Sequence, residues 1–236
     1  MRFGMWMRML TAGAVVAGFA VASAASAVAD DEASIVRGGR LYDKWWAENK
    51  AEKPVGTHPS YQGKDQKDDV TWRCKECHGW DLKGKDGAYG SGKHFSGVKG
   101  VTESAGKDSA AIAAIIRDKT HGYTAAMLSD ANVADLANFI SKGQVDMSDY
   151  INPASMKSKG DAAKGKVYFE TICVGCHGTD GKKIADAEAL GAAAGNGVEM
   201  LHKVLYGQPK AAMPALFALD HNIAADLVAH LQTLPK

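Results

Sequence analysis

Several residue types and patterns are scarce in this chain. It has only four cysteines and six prolines among 236 residues, and its formal net charge is +1. The charges are mixed, so nothing indicates a nucleic acid or an anionic membrane as a partner. We find no nucleophile elbow, zinc-hydrolase helix or nucleotide-binding loop. Strand patterns are rare, which favours a helical fold. These absences argue against the common hydrolase and nucleotide-dependent enzyme classes.

All four cysteines fall into two motifs with the spacing Cys-x-x-Cys-His. The first motif is Cys74, Cys77 and His78, and the second is Cys173, Cys176 and His177. This spacing is the attachment pattern of a c-type haem. Two thiols one helical turn apart can each add to a porphyrin vinyl group, and the adjacent imidazole then binds the iron. We therefore predict two haem c groups, attached through the four cysteines, with both histidines as proximal iron ligands.

Two other interpretations of the cysteines are weaker. In zinc sites of this kind the two pairs are usually within roughly 20 residues of each other, whereas Cys77 and Cys173 are about 100 residues apart. A thioredoxin-like redox pair would need a βαβ context, and the sequence lacks one. The histidine that follows each pair also favours haem.

The first 29 residues have the pattern of a removable export signal. Arg2 and Arg8 are basic, residues 9–22 are apolar, and Ala27-Val28-Ala29 resembles a cleavage site. An uncleaved membrane anchor is the alternative, but the apolar run is rich in Ala, Gly and Val. No other segment is long and apolar enough to span a bilayer. We predict a soluble, exported chain in the periplasm, where c-type haem is attached.

An internal repeat runs through the rest of the chain. Residues 37–42 align with residues 163–168, and residues 128–136 align with residues 219–227. Each unit reads as a first helix, the haem motif, a loop, a middle helix, a ligand loop and a closing helix. The closing helices carry apolar residues at helical spacing. Ser129 and Asp220 are their predicted N-caps. Phe139 aligns with His230, and both should pack on the first helix of their unit.

This repeated arrangement resembles class I cytochrome c, and the tandem resembles dihaem cytochromes of the cytochrome c4 kind. The resemblance covers nearly all of the chain after the signal. In the second unit it rests on these residues: Gly165, Tyr168, the motif at 173–177, Tyr206, Gly207, Met213 and Pro214. It implies an all-α fold of two tandem helical domains, each around one haem. We divide the chain into a signal (1–29), a first domain (30–148), a linker (149–160) and a second domain (161–236).

The sixth iron ligand differs between the units. Met213, followed by a proline, lies where the family's methionine ligand falls, so we predict it as the distal ligand of the second haem. In the first unit, Met127 is too close to the closing helix, and His121 has nearly the spacing of Met213. We therefore favour His121 over Met127, with His94 and His58 as weaker choices. His202 and His221 are expected at the surface.

The first unit also has an insert at about residues 47–72. Its polar composition with prolines and glycines predicts a surface loop. A docking surface or a cover over the haem edge is the functional alternative.

The predicted function is transfer of single electrons by a periplasmic dihaem carrier, not an enzyme. Two protein ligands on each iron leave no open position for a substrate. The expected partners are redox proteins of a periplasmic respiratory chain, including docking to a membrane oxidoreductase. The alternative is a haem subunit of a periplasmic oxidoreductase, or an enzyme that acts at the first haem.

Overall fold

The computed structural model describes the backbone of residues 16–236 and the side chains of residues 31–236. Residues 1–15, with the basic start of the predicted export signal, lie outside the described residues. The described part contains nine α-helices and only two isolated β-bridges, which confirms the predicted all-α class. The helices are α1 (Val16–Glu48), α2 (Cys74–His78), α3 (Ser109–Ile116), α4 (Asp130–Lys142), α5 (Ala162–Tyr168), α6 (Val174–His177), α7 (Leu190–Ala193), α8 (Gly197–Tyr206) and α9 (His221–Leu231). Among these described helices, none is long and apolar enough to cross a membrane.

The two halves of the chain use the same helix pairing. In the first half α1 packs against the closing helix α4, and in the second half α5 packs against the closing helix α9. The middle helices follow the same rule, since α3 lies on α4 and α8 lies on α9. The closing helix is central to each half because its apolar face, such as Leu136 in α4 and Leu227 in α9, is almost fully buried.

A glycine allows the first and closing helices to approach closely in each half. A Cβ on Gly38 would overlap the carbonyl oxygen of Asp135, and a Cβ on Gly165 would overlap the carbonyl oxygen of Asp226. Two aromatic rings pack against each other at this helix crossing in the first half. Tyr42 and Phe139 have ring centroids 5.3 Å apart. Small residues at a crossing let two backbones meet, and the flanking rings fill the remaining space.

These contacts correct the alignment of the repeat by one residue. Gly38, and not Gly39, is the counterpart of Gly165. Phe169 lies 5.3 Å from His230, so Phe169 and not Tyr168 is the counterpart of Tyr42. The predicted packing of Phe139 and His230 on the first helices is confirmed.

The predicted caps of the closing helices are also confirmed. The hydroxyl of Ser129 accepts a hydrogen bond from the backbone of Asn132, and the Asn132 side chain completes a capping box. The carboxylate of Asp220 accepts one from the backbone of Asn222. Each cap satisfies an otherwise unpaired N–H at the start of the helix.

The two halves contact each other through α1 and α8. A Cβ on Gly39 would overlap the ring of Tyr206, and the Tyr206 hydroxyl donates to the carbonyl of Gly143. His202 donates from Nε2 to the carbonyl of Gly39 at 2.9 Å and is fully buried. The expectation that His202 lies at the surface is therefore wrong. Its burial depends on the other half of the chain, which a helix pattern within one repeat does not reveal.

Electrostatic contacts reinforce this junction. The Asp43 carboxylate is only 1% exposed. It forms ion pairs with the Lys203 ammonium, at 2.8 Å, and with the Arg73 guanidinium. These two cations hold the pKa of Asp43 below its usual value despite its burial. Asp43 belongs to α1 and Lys203 to α8, so the ion pair connects the two halves.

The insert at residues 47–72 returns to the core at its end. Trp72 accepts two hydrogen bonds on its carbonyl, from the Trp45 indole at 3.0 Å and the Tyr123 hydroxyl at 2.8 Å. Its own indole N–H donates to the carbonyl of Gly56 at 2.9 Å. These bonds fasten the end of the insert to Trp45 of α1 and to Tyr123 in the segment between α3 and α4, and fasten its middle, at Gly56, to Trp72.

We predict that Gly38→Ala and Gly165→Ala each destabilise the holoprotein by about 1–3 kcal/mol, because the added methyl group meets a helix backbone. Gly175→Ala is the matched control, since this glycine is also helical and a Cβ there meets nothing within 4 Å. Urea unfolding of the three variants measures the difference. Equal stability of all three would contradict the crossing as described.

The buried His202 predicts acid sensitivity of the junction. Burial lowers the pKa of His202 to about 4, against 6.5 when unfolded. As pH falls below 6.5, the unfolded chain takes up this proton first, so the folded state loses up to roughly 3 kcal/mol by about pH 4. We expect His202→Gln, which keeps a donor for Gly39, to show a smaller loss of stability between pH 7 and 4.5 in urea titrations. A wild-type slope in the variant would exclude His202 as the titrating group.

Candidate haem sites

The first Cys-x-x-Cys-His motif opens onto a cavity of about 640 Å³, which is within the usual size of a cofactor pocket. Cys74, Cys77 and His78 all line it. The motif forms the short helix α2, which places the two thiols one turn apart. The opposite wall is apolar and comes from α3 and α4; it includes Ile112, Ile116, Leu136 and Ile140. An apolar cavity with two thiols and an imidazole fits a haem attached by thioether bonds.

Burial raises the pKa of both thiols of the first motif, that of Cys74 to about 11 and that of Cys77 to about 12. Both are therefore protonated at neutral pH when nothing is bound to them. In the described residues, no group of three or more His, Cys, Asp or Glu side chains is placed to hold a metal ion.

His78 is oriented by a hydrogen bond from the loop that follows it. Its Nδ1–H donates to the carbonyl of Lys99 at 2.8 Å, and an isolated bridge between Gly84 and Lys99 holds that strand-like turn in place. Burial lowers the pKa of His78 to about 4, so the ring is neutral at pH 7. The Nε2 lone pair is then free for iron, as in metal sites where the second ring nitrogen donates to a carbonyl.

His121 lies across the same cavity from His78. The two ring centroids are 6.3 Å apart and the ring planes differ by 28°. Nδ1 of His121 donates to the Asp118 carboxylate at 3.1 Å, which again leaves Nε2 free. Two imidazoles bound to opposite sides of one metal, each at about 2 Å, have centroids roughly 6 Å apart. The observed pair could therefore hold one iron between the two imidazoles.

The other predicted candidates for the sixth ligand are placed differently. Met127 packs half-buried against the core and does not line the cavity. His94 donates from Nδ1 to the Glu76 carboxylate at 2.7 Å and stacks on Tyr89, also outside the cavity wall. His58 lines the cavity, but both of its ring nitrogens are engaged in hydrogen bonds. This geometry favours His121, and the assignment stays a prediction.

The second motif lies in a more open environment. Its helix α6 follows a π-turn at Phe169–Cys173, and Cys176 is exposed. Partial burial lowers the pKa of His177, which keeps its ring neutral at pH 7. Met213 is half-buried in the segment between α8 and α9, with its carbonyl against Gly207. In the described contacts, no hydrogen bond or ring contact joins Met213 to His177, so their pairing also stays a prediction.

Large apolar side chains are exposed around the second motif. Ile172 is 42% exposed next to Cys173, and Ile184 is 43% exposed in the loop after the motif. Exposed isoleucines beside a cofactor motif become buried when a flat, apolar group such as a porphyrin binds against them. A haem at the second motif stays a prediction.

Sequence reasoning missed the groups that orient the two facing histidines. The carbonyl of Lys99 leaves no sequence signal, because every residue carries a carbonyl. Asp118 could have been found, since a carboxylate three residues before a histidine in a tight turn can reach Nδ1. The contact of His58 with the carbonyl of His121 bridges 63 residues and has no local signature.

Comparison with protein-family models gives one match. Residues 68–144 match the family described as Cytochrome c. The matched region starts in the turn before the first motif and ends just after α4, so it contains His78, His121 and most of the residues that line the cavity. Comparisons with curated proteins and with solved structures gave no match. The match supports a c-type cytochrome, an electron-transfer protein with haem c and its iron.

We predict that His121→Ala opens the sixth position of the first haem, whereas Met127→Ala leaves it unchanged. The visible spectrum of the oxidised holoprotein distinguishes them, because loss of an imidazole ligand converts that haem from low spin to high spin. Met213→Ala should remove the sulfur–iron charge-transfer band of the second haem. A charge-transfer band that disappears in Met127→Ala would instead assign Met127 to the first haem.

Proposed function

We propose that the chain is a periplasmic dihaem cytochrome c that passes single electrons between redox proteins. The observation that carries the proposal is the facing pair of histidines, His78 and His121, at the first motif, with ring centroids 6.3 Å apart. An iron held on both sides by protein nitrogen changes charge with little rearrangement and has no vacant position for a substrate. That property suits an electron carrier better than an enzyme.

The residues around the first cavity have separate roles. Haem c, when bound, supplies a one-electron couple between ferric and ferrous iron. Cys74 and Cys77 attach the porphyrin. Lys99 and Asp118 fix the tautomer of the two histidines by accepting the Nδ1 protons. The aliphatic side chains of α3 and α4 exclude water from the cavity, which lowers the local dielectric constant and favours the less charged, reduced state.

A second haem at residues 173–177 is part of the proposal. Its support is the second motif, the neutral His177 and the exposed isoleucines beside it. Thioether ligation by Met213 would give this site a higher potential than two imidazoles give the first. Electrons would therefore pass from the first unit to the second. The periplasmic location rests on the predicted export signal, and redox proteins of a respiratory chain are the proposed partners.

The alternative is an oxidoreductase, or the haem subunit of one, with its reactive position at the first haem. One observation favours it. The His121 side chain is 29% exposed and lies on a loop, so it could leave the iron more easily than a ligand on a helix. Rapid binding of carbon monoxide to the reduced first haem of the wild-type protein would support this alternative.

We predict two one-electron steps in a potentiometric titration of the holoprotein, with the first haem at the lower potential. His121→Met should raise the lower potential, and Met213→His should lower the higher one, because thioether sulfur stabilises ferrous iron relative to imidazole. Each variant leaves the other site as an internal control. A single step, or a shift at the wrong site, would contradict the proposed ligands.

A further inference from the structure

The insert at residues 47–72 contacts the loop that carries His121. Two hydrogen bonds join them: His58 donates from Nε2 to the carbonyl of His121 at 2.8 Å, and Ser60 donates from its hydroxyl to the carbonyl of Thr120 at 2.5 Å. Both bonds hold the backbone at or next to His121. Neither contacts the His121 ring, which bonds to Asp118 instead.

His58 is itself rigidly placed. It is 7% exposed, and its ring lies 4.4 Å from that of Trp72 in an edge-to-face contact. Its backbone N–H donates to the Thr71 hydroxyl at 2.8 Å, and its Nδ1 accepts from the backbone of Ser60 at 3.1 Å. Because Nδ1 accepts, Nε2 carries the proton that the carbonyl of His121 receives. Because the His58 side chain is buried and both of its ring nitrogens are hydrogen-bonded, it holds the backbone of His121 in a defined position.

The hydrogen bonds that the loop makes within itself are short-range, such as that from the backbone N–H of Gly122 to the carbonyl of Asp118 at 2.9 Å. Asp118 accepts hydrogen bonds from the backbone N–H groups of Thr120 and His121, but Asp118 is exposed and lies on the same loop. The next fixed point is Tyr123, which is buried and donates to the carbonyl of Trp72 at the end of the insert. Three residues of the insert therefore make hydrogen bonds to the loop between Thr120 and Tyr123: Ser60, His58 and Trp72.

We propose that the insert is a clamp that holds the His121 loop against the first haem, with His58 as the positioning residue. This inference rests on the proposed role of His121 as the sixth ligand. It assigns the insert a role distinct from a docking surface: the insert limits how often His121 leaves the iron. The clamp would let an imidazole on an exposed loop behave as a permanent ligand.

Carbon monoxide binding to the reduced holoprotein tests the clamp, because the gas can bind only while His121 is dissociated. His58→Phe keeps an aromatic ring against Trp72 and removes the donor to His121. We expect carbon monoxide binding at the first haem to become roughly two- to tenfold faster, the effect of one ordinary hydrogen bond. His58→Gln places an amide donor near Nε2 and should restore the rate to near the wild-type value.

His221→Phe is the matched control. His221 makes the same type of bond in the second half, from Nε2 to the carbonyl of Phe217 at 3.0 Å. It should leave the first haem unchanged. Hydrogen exchange of the holoprotein gives a second readout. The amides of residues 120–123 should exchange faster in His58→Phe than in the wild type, whereas the exchange rates of the α4 amides should not change.

The outcomes separate the inference from the proposed function. Equal carbon monoxide rates and equal loop exchange in wild type and His58→Phe, with an imidazole-ligated first haem, would overturn the clamp and leave the carrier proposal intact. A first haem that has sulfur ligation in the wild-type protein would overturn the ligand assignment and the clamp with it. Faster binding in His58→Phe that His58→Gln does not correct would also count against the hydrogen bond as the cause.

Discussion

His78 and His121 face each other across one cavity, and the structure of the first half of the chain depends on keeping them in this arrangement. Each ring must be neutral and must point Nε2 inward, since a protonated imidazole has no lone pair for a metal. Burial lowers the pKa of His78, and two acceptors, the carbonyl of Lys99 and the carboxylate of Asp118, bind the two Nδ1 atoms, which leaves each Nε2 for the cavity. The turn with the Gly84–Lys99 bridge and the insert with His58 each hold one side of the pair. Elements that look like irregular loops therefore have a defined structural role.

The two Cys-x-x-Cys-His motifs have the same residue pattern in unequal surroundings. Cys74 and Cys77 lie in a cavity walled by helices and by the insert, whereas Cys176 is exposed and isoleucines near it face solvent. Burial and ligand type both influence the potential of a haem iron. If both motifs hold a haem, as proposed, one enclosed and one open site would separate the two potentials without any change in the motif. The α1–α8 junction, with Asp43 between Arg73 and Lys203, keeps the two unequal halves together.

Sequence patterns predicted most of the local structure, because local structure depends on neighbours in the chain. The caps at Ser129 and Asp220 and the helical class follow from short-range rules. The pair Gly38-Gly39 allowed two alignments of the repeat, and only the contact of Gly38 with Asp135 decides between them. Gly39 has a different task, which is to let α1 approach Tyr206 of the other half. The burial of His202 escaped prediction for the same reason: it depends on a partner 163 residues away in the chain.

The length of the insert is easier to explain once its contacts are known. The chain from Gly38 to Cys74 is more than four times as long as that from Gly165 to Cys173. Loop-closure entropy grows slowly with length, so about two doublings cost only about 1 kcal/mol. A few hydrogen bonds of ordinary strength, such as those that Trp72 makes with Trp45 and Tyr123, are enough to offset that cost. The first half can therefore carry a long insert at little cost in stability. The contacts of the insert with the His121 loop are then its proposed contribution to function.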